Sequence, residues 1–159
     1  MKTNKLFILA VVMMLSLSAC KTDVSRNDDG TLTLETSITQ EQLQEAISAA
    51  IADPLIQDLT ASLQNGYVSV TGTRQRLNDA SKTDTMSFRL DLGVSNGQLT
   101  ASISGAQIDG QAIEQNRVDN WNQTIANRLS NFGRNSENAT LQSVSVTPEQ
   151  VTMIWLVTR

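Results

Sequence analysis

Between Thr39 and Ile51 the apolar residues Leu43, Ala46, Ile47, Ala50 and Ile51 recur at i, i+3, i+4, i+7 and i+8, the stripe of an amphipathic helix. Thr39 with Gln42 three residues on makes a capping box, Ile38 and Leu43 make a hydrophobic staple, and Asp53-Pro54 stops the helix. From Leu55 the apolar period falls to two. Leu59, Ala61 and Leu63 run into Asn65-Gly66 and continue as Val68 and Val70; Leu90, Leu92 and Val94 run into Asn96-Gly97 and continue as Leu99, Ala101 and Ile103. Asn-Gly suits a two-residue type I′ loop, in which both positions take positive φ. Such loops set Leu63 against Val68, Val94 against Leu99 and Leu90 against Ile103, so each hairpin gathers its apolar residues on one face.

Between these hairpins the polar run 74–85 reads as an exposed loop of solvated charges. After Gly110 the helical period returns: Val118, Trp121, Ile125, Leu129 and Phe132 line one face of a helix over about 113–132. Asn120, Gln123, Asn127 and Asn131 occupy the other face, and Gly133 stands as the stop. Val144 and Val146 then approach a turn at Thr147-Pro148-Glu149-Gln150, and Val151, Met153, Trp155 and Val157 leave it. Ile154 and Leu156 make the second face of that last strand apolar, the mark of a central strand or one reaching under a helix. Ahead of the first helix, Leu32, Leu34, Thr36 and Ile38 alternate as a short edge strand or an extended lead-in. The expected fold is α+β in the order α-β-β-β-β-α-β-β, with one curled antiparallel sheet of about six strands covered by two amphipathic helices.

The N-terminal segment follows a different grammar. Lys2 and Lys5 precede an apolar run from Leu6 to Leu15, continued by small and apolar residues to Ala19, the order of a secretory signal. As a helix, residues 6–19 would reach only about 21 Å at ~1.5 Å per residue, against a hydrocarbon core of roughly 30 Å. Leu17-Ser18-Ala19-Cys20 resembles a bacterial lipobox. That resemblance implies cleavage between Ala19 and Cys20, a signal peptide over residues 1–19, and acylation of the Cys20 thiol and amine. Two or three acyl chains hold a protein stably at a membrane where one holds it marginally. Residues 20–30 then read as the lipidated cysteine and a flexible tether about 17 Å long, and 31–159 as one domain. Lys21 after the cysteine, in place of an inner-membrane retention aspartate, points to an outer membrane facing the periplasm in a Gram-negative cell, and otherwise to the outer face of the cell membrane.

Composition narrows the chemistry. The chain has 159 residues, and loss of the first 19 leaves 140, which suits one domain. Loss of Lys2 and Lys5 leaves 10 basic residues against 16 acidic ones, a net charge of −6. An acidic, aromatic-poor surface argues against a nucleic-acid groove or a polybasic membrane patch. There is no histidine and one cysteine, which excludes disulfides, the usual zinc ligand sets, and Ser-His or Cys-His nucleophiles. The aspartates Asp28, Asp29, Asp53, Asp58, Asp79 and Asp84 show no EF-hand or paired catalytic spacing and read as surface, cap and turn residues. No metal, cofactor or catalytic residue is expected.

The lipobox, the short tether, the Ile38-Thr39 start with Gln42-Leu43, and the strand type of Leu90-Asp91-Leu92-Gly93-Val94 before Asn96-Gly97 together resemble bacterial envelope lipoproteins carrying a single TULIP-like module. In those proteins a curved antiparallel sheet wraps a helix and lines an apolar cavity. The resemblance covers about residues 31–159 and implies a non-enzymatic binder of a lipid or other apolar molecule, with Leu43, Ile47, Ile51, Trp121, Ile125, Leu129 and Trp155 as the candidate cavity lining. Core packing is the competing reading of the same residues, since burial alone accounts for a tryptophan at helical spacing. The alternative function is an envelope protein–protein interaction or assembly module with a filled core. A lipid binder needs a connected cavity of roughly 300 Å³ or more.

Overall fold

A polar turn opens the fold. The computed structural model describes residues 22–133 and 138–158. Its first strand, β1 (Thr22–Arg26), turns at Asn27 to Thr31 and pairs antiparallel with β2 (Leu32–Thr39), Val24 against Leu34. The Asn27 N–H donates to the Thr31 carbonyl at 2.9 Å, and Asp29 Oδ1 accepts from the Thr31 N–H at 2.9 Å and from its hydroxyl at 2.6 Å. The stretch expected to be a flexible tether therefore carries a strand. Its composition conceals this, because all five β1 residues are exposed and so leave no apolar period.

α1 (Gln40–Ile51) starts where the sequence places it. The Thr39 hydroxyl accepts from the Gln42 N–H at 3.3 Å, the Gln42 side chain accepts from the Thr39 N–H at 3.0 Å, and Ile38 and Leu43 are both buried. The helix closes at Ala52, which takes a left-handed φ of 46° ahead of Pro54. Four strands follow: β3 (Ile56–Leu63), β4 (Val68–Gln75), β5 (Thr83–Ser95) and β6 (Gln98–Ile108). Their registers match the expected ones, with Leu63 on Val68, Leu90 on Ile103 and Val94 on Leu99. Only the second turn is type I′, with Asn96 at φ 52° and Gly97 at 73°; in the first, Gly66 alone is positive, at 86°. The Gly66 N–H points instead to the Val146 carbonyl at 3.0 Å, a contact between distant strands that local turn rules do not contain.

β7 (Gln111–Ala112) adds a short edge, and α2 (Gln115–Ser130) buries Val118, Trp121, Ile125 and Leu129. α2 ends at Asn131 in right-handed conformation, so Gly133 is not needed for a left-handed cap. Its value is size. A Cβ there would collide with the Trp155 indole nitrogen and come within 2.8 Å of Thr36 Oγ1. β8 (Ala139–Val146) and β9 (Gln150–Val157) form the last hairpin, Val146 on Val151 and Val144 on Met153.

The class is α+β, but the single curled sheet of about six strands is replaced by two antiparallel sheets, β1-β2-β9-β8 and β3-β4-β5-β6-β7. The difference arises because β9 pairs with β2, more than a hundred residues earlier in the chain, setting Trp155 beside Leu34 and Ile38 beside Val151. β2 is thus an inner strand, and β9, apolar on both faces, is central as its pattern requires. One apolar core runs through both sheets and both helices. Phe88 meets Trp121 with ring centroids 6.1 Å apart, and Trp155 donates its indole N–H to Thr36 Oγ1 at 3.2 Å, which satisfies both buried polar groups.

Candidate functional site

Three parts of the molecule bear on function: the expected cavity lining, a charged cluster beside two surface clefts, and the sheet edges. Ala19 and Cys20, the expected cleavage and lipidation residues, lie outside the described residues. In sequence only Lys21 separates Cys20 from β1.

The candidate lining residues come together, but as packing. Leu43, Ile47 and Ile51 on α1, Trp121, Ile125 and Leu129 on α2, and Trp155 on β9 are each no more than 6% exposed and belong to the common core. The helices pack on each other, so stripes of period 3.6 that would have faced a ligand face each other and the sheets. Met86 and Met153 are fully buried in the same core.

Of these residues Ile51 also borders a surface cleft of about 530 Å³, shared with Ser48, Pro54, Ile56, Gln57 and Leu59 at the C-terminal end of α1. Its shape follows from the left-handed Ala52, from Pro54, and from a bulge between Ile56 and Asp58 that takes the edge of β3 out of register. A second cleft of about 460 Å³ has charged walls, Arg76, Asp84, Asp109, Glu114 and Arg117, over Ile108 and Ile113.

Asp53 lines the first cleft and bonds Arg117 of the second. Its side chain is 7% exposed and accepts from Arg74 Nε at 2.9 Å, Arg117 Nη2 at 2.8 Å and the Leu55 N–H at 2.9 Å. Burial by itself raises the Asp53 carboxyl pKa, but the Leu55 N–H and the two guanidinium groups outweigh it and hold the pKa below its ordinary value. Arg117 also stacks 5.1 Å from the Trp121 ring centroid. Arg76 bonds Asp84 and Asp109, and the Asp84 hydrogen bond raises its pKa. The sequence pattern places Asp53 in a turn and Arg74 and Arg76 in an exposed, solvated loop, whereas Arg74 lies in β4. The turn is present, but the ion pairs join residues 21 and 64 positions apart, and no local pattern signals them. Because these arginines are already paired with carboxylates, the cluster joins the turn after α1 to β4 and α2 and presents no open anion site. Among the described residues no group of three or more histidine, cysteine, aspartate or glutamate side chains is placed to hold a metal ion, and no helix is long and apolar enough to cross a membrane.

The sheet edges are handled unequally. β3 gives its outward Ala61 N–H to Gln44 Oε1 of α1 at 3.2 Å, and β6 gives its outward Ile103 N–H to Asn122 Oδ1 of α2 at 2.8 Å. β8 is bonded on its outer side by two hairpin turns, Leu141 N–H to the Gly97 carbonyl at 2.9 Å and Gly66 N–H to the Val146 carbonyl. No such cover reaches β1 among the described residues. Comparison of the chain with known protein families, curated proteins and solved structures gave no match.

Proposed function

We propose that this protein is a lipid-anchored module of the bacterial envelope that acts through its surface, docking protein partners without catalysing a reaction. The observation that carries the reading is the packing of Leu43, Ile47, Trp121, Ile125, Leu129 and Trp155 into one core, which leaves them no face for a ligand. The lipobox-like Leu17-Ser18-Ala19-Cys20 supplies the anchor, with acylation at Cys20 and attachment to the outer membrane facing the periplasm, or to the outer face of a single membrane. The test of the anchor is Cys20→Ser in the full-length chain. The wild-type product partitions with membranes and incorporates labelled palmitate, and the variant does neither; unchanged partitioning would sink the claim.

The second reading, a binder of a lipid or other apolar molecule on a TULIP-like module, draws support from a different place than the core. The cleft at the end of α1, with Ile51, Pro54, Ile56 and Leu59 on its walls, has a volume within the range of small-molecule sites. Native mass spectrometry of the purified chain separates the two readings. A reproducible co-purified lipid, lost on Leu59→Gln, favours the binder, and a clean apo mass favours the docking module.

A further inference from the structure

Among the described residues β1 is a five-residue sheet edge that no helix or turn covers, and its geometry selects a partner. The Asn27 N–H bonds the Thr31 carbonyl in the β1–β2 register, so alternation of the antiparallel ladder turns the backbone groups of Asp23 and Ser25 toward β2. It turns those of Thr22, Val24 and Arg26 outward. These outward groups form a row along a strand exposed at every residue, with no proline, lysine or bulge to block pairing. Val24, opposite the buried Leu34, is 63% exposed.

We propose that β1 pairs antiparallel with β1 of a second copy about a two-fold axis at Val24, joining the two four-stranded sheets edge to edge. Outward residues must oppose outward residues, and the one such alignment that overlaps the whole strand sets Val24 on Val24 of the second copy, Thr22 on Arg26, and Asp23 on Ser25. The charges agree with this choice. Asp23 and Arg26 cancel, so two strands meet without net repulsion although the chain as a whole is acidic. A parallel in-register pairing would set Asp23 on Asp23 and Arg26 on Arg26, which is unfavourable, whereas the antiparallel one places no like charges opposite each other. The proposal deepens the docking reading by naming the partner. The pairing itself stands on the edge alone; confinement of the copies to one membrane, which raises their effective concentration, rests on the proposed anchor.

The test is site-directed oxidation of the full-length chain in its membrane. Val24→Cys is expected to give a disulfide-linked species of twice the chain mass on mild oxidation, since directly opposed strand positions fall within disulfide reach. Arg26→Cys does not meet itself in this register, and Val94→Cys lies on a hairpin of the other sheet, so both stay monomeric. Val24→Pro removes an outward N–H and leaves the β1–β2 bonds, and weakens association measured by sedimentation about tenfold or more. Absence of the cross-link from Val24→Cys, equal cross-linking at positions 26 or 94, or an adduct with a different protein each overturns the proposal. In a Cys20→Ser background the position-24 thiol is the only one. A cross-link that persists there at raised protein concentration supports edge pairing whatever the anchor does. Loss of membrane partitioning in that background is read separately as the result for the anchor.

Discussion

The two sheets solve the same problem in different ways. The five-stranded sheet places a helix beside each long edge and seals it with one amide side chain, Gln44 on β3 and Asn122 on β6. The four-stranded sheet is held at β8 by the backbones of two hairpin turns and ends at β1, beyond which no described residue pairs. The first sheet thus has a helix on each long edge and only the two-residue β7 left open, while the second keeps, among the described residues, a row of unpaired backbone groups, close in sequence to the expected lipid anchor. An edge left open beside covered ones marks the place where the fold can be extended.

The largest test lies at the joint where the end of α2 meets the four-stranded sheet. Trp155→Ala removes the indole that packs under Gly133 and bonds Thr36, and is expected to cost about 3–5 kcal/mol by denaturant titration. Trp155→Phe keeps most of the volume and loses chiefly the hydrogen bond, about 1 kcal/mol. Gly133→Ala presses a methyl into the same joint and should destabilise by about 1–3 kcal/mol; a neutral result would show that the joint can yield.

Asp53 tests the tie between the helices and the five-stranded sheet. Asp53→Asn weakens its bonds to Arg74 and Arg117, with an expected loss of about 2 kcal/mol at neutral pH. The carboxyl pKa is lowered in the folded state from an ordinary 3.8, so the unfolded chain binds the proton more readily. The stabilisation is present above 3.8 and is lost as pH falls through the folded value. Acid titration of the two proteins should therefore show their stabilities converging below pH 3.8, and parallel curves there would refute the assignment.

Smaller effects separate the edges themselves. Gln44→Ala and Asn122→Ala each strip a backbone N–H of its cover and are expected to cost about 1 kcal/mol. Val24→Thr on the open edge should leave stability within about 0.5 kcal/mol, since Val24 is mostly solvated. If hydrogen exchange finds β1 as protected as β3 in a monomeric sample, the edges do not differ as described.

Much of the fold was legible because it is local. The Thr39–Gln42 capping box, the α1 and α2 stripes, and the registers about Asn96-Gly97 and Thr147 to Gln150 depend on residues within a few positions of one another. Strand β1 escaped because an exposed edge strand needs no apolar alternation, and Asn27 to Gly30 served equally well as a hairpin turn or a tether. The residues of the candidate lining lie together in the core, and the choice between cavity and core depends on how far the two helices approach, which no stripe specifies. Asp53 looked like a turn residue and is one; its arginines arrive from β4 and α2.

The sequence by itself determined the α+β class, both helices and the start of α1, the hairpin pairings and the absence of histidine chemistry, since each follows from side-chain type at short separation. Only the tertiary structure decided that β9 joins β2 to make a second sheet, that Gly133 serves Trp155 and not a helix cap, and which strand is left uncovered. Those outcomes turn on contacts between residues tens to more than a hundred positions apart, where packing of the whole core selects among pairings that the local pattern allows equally.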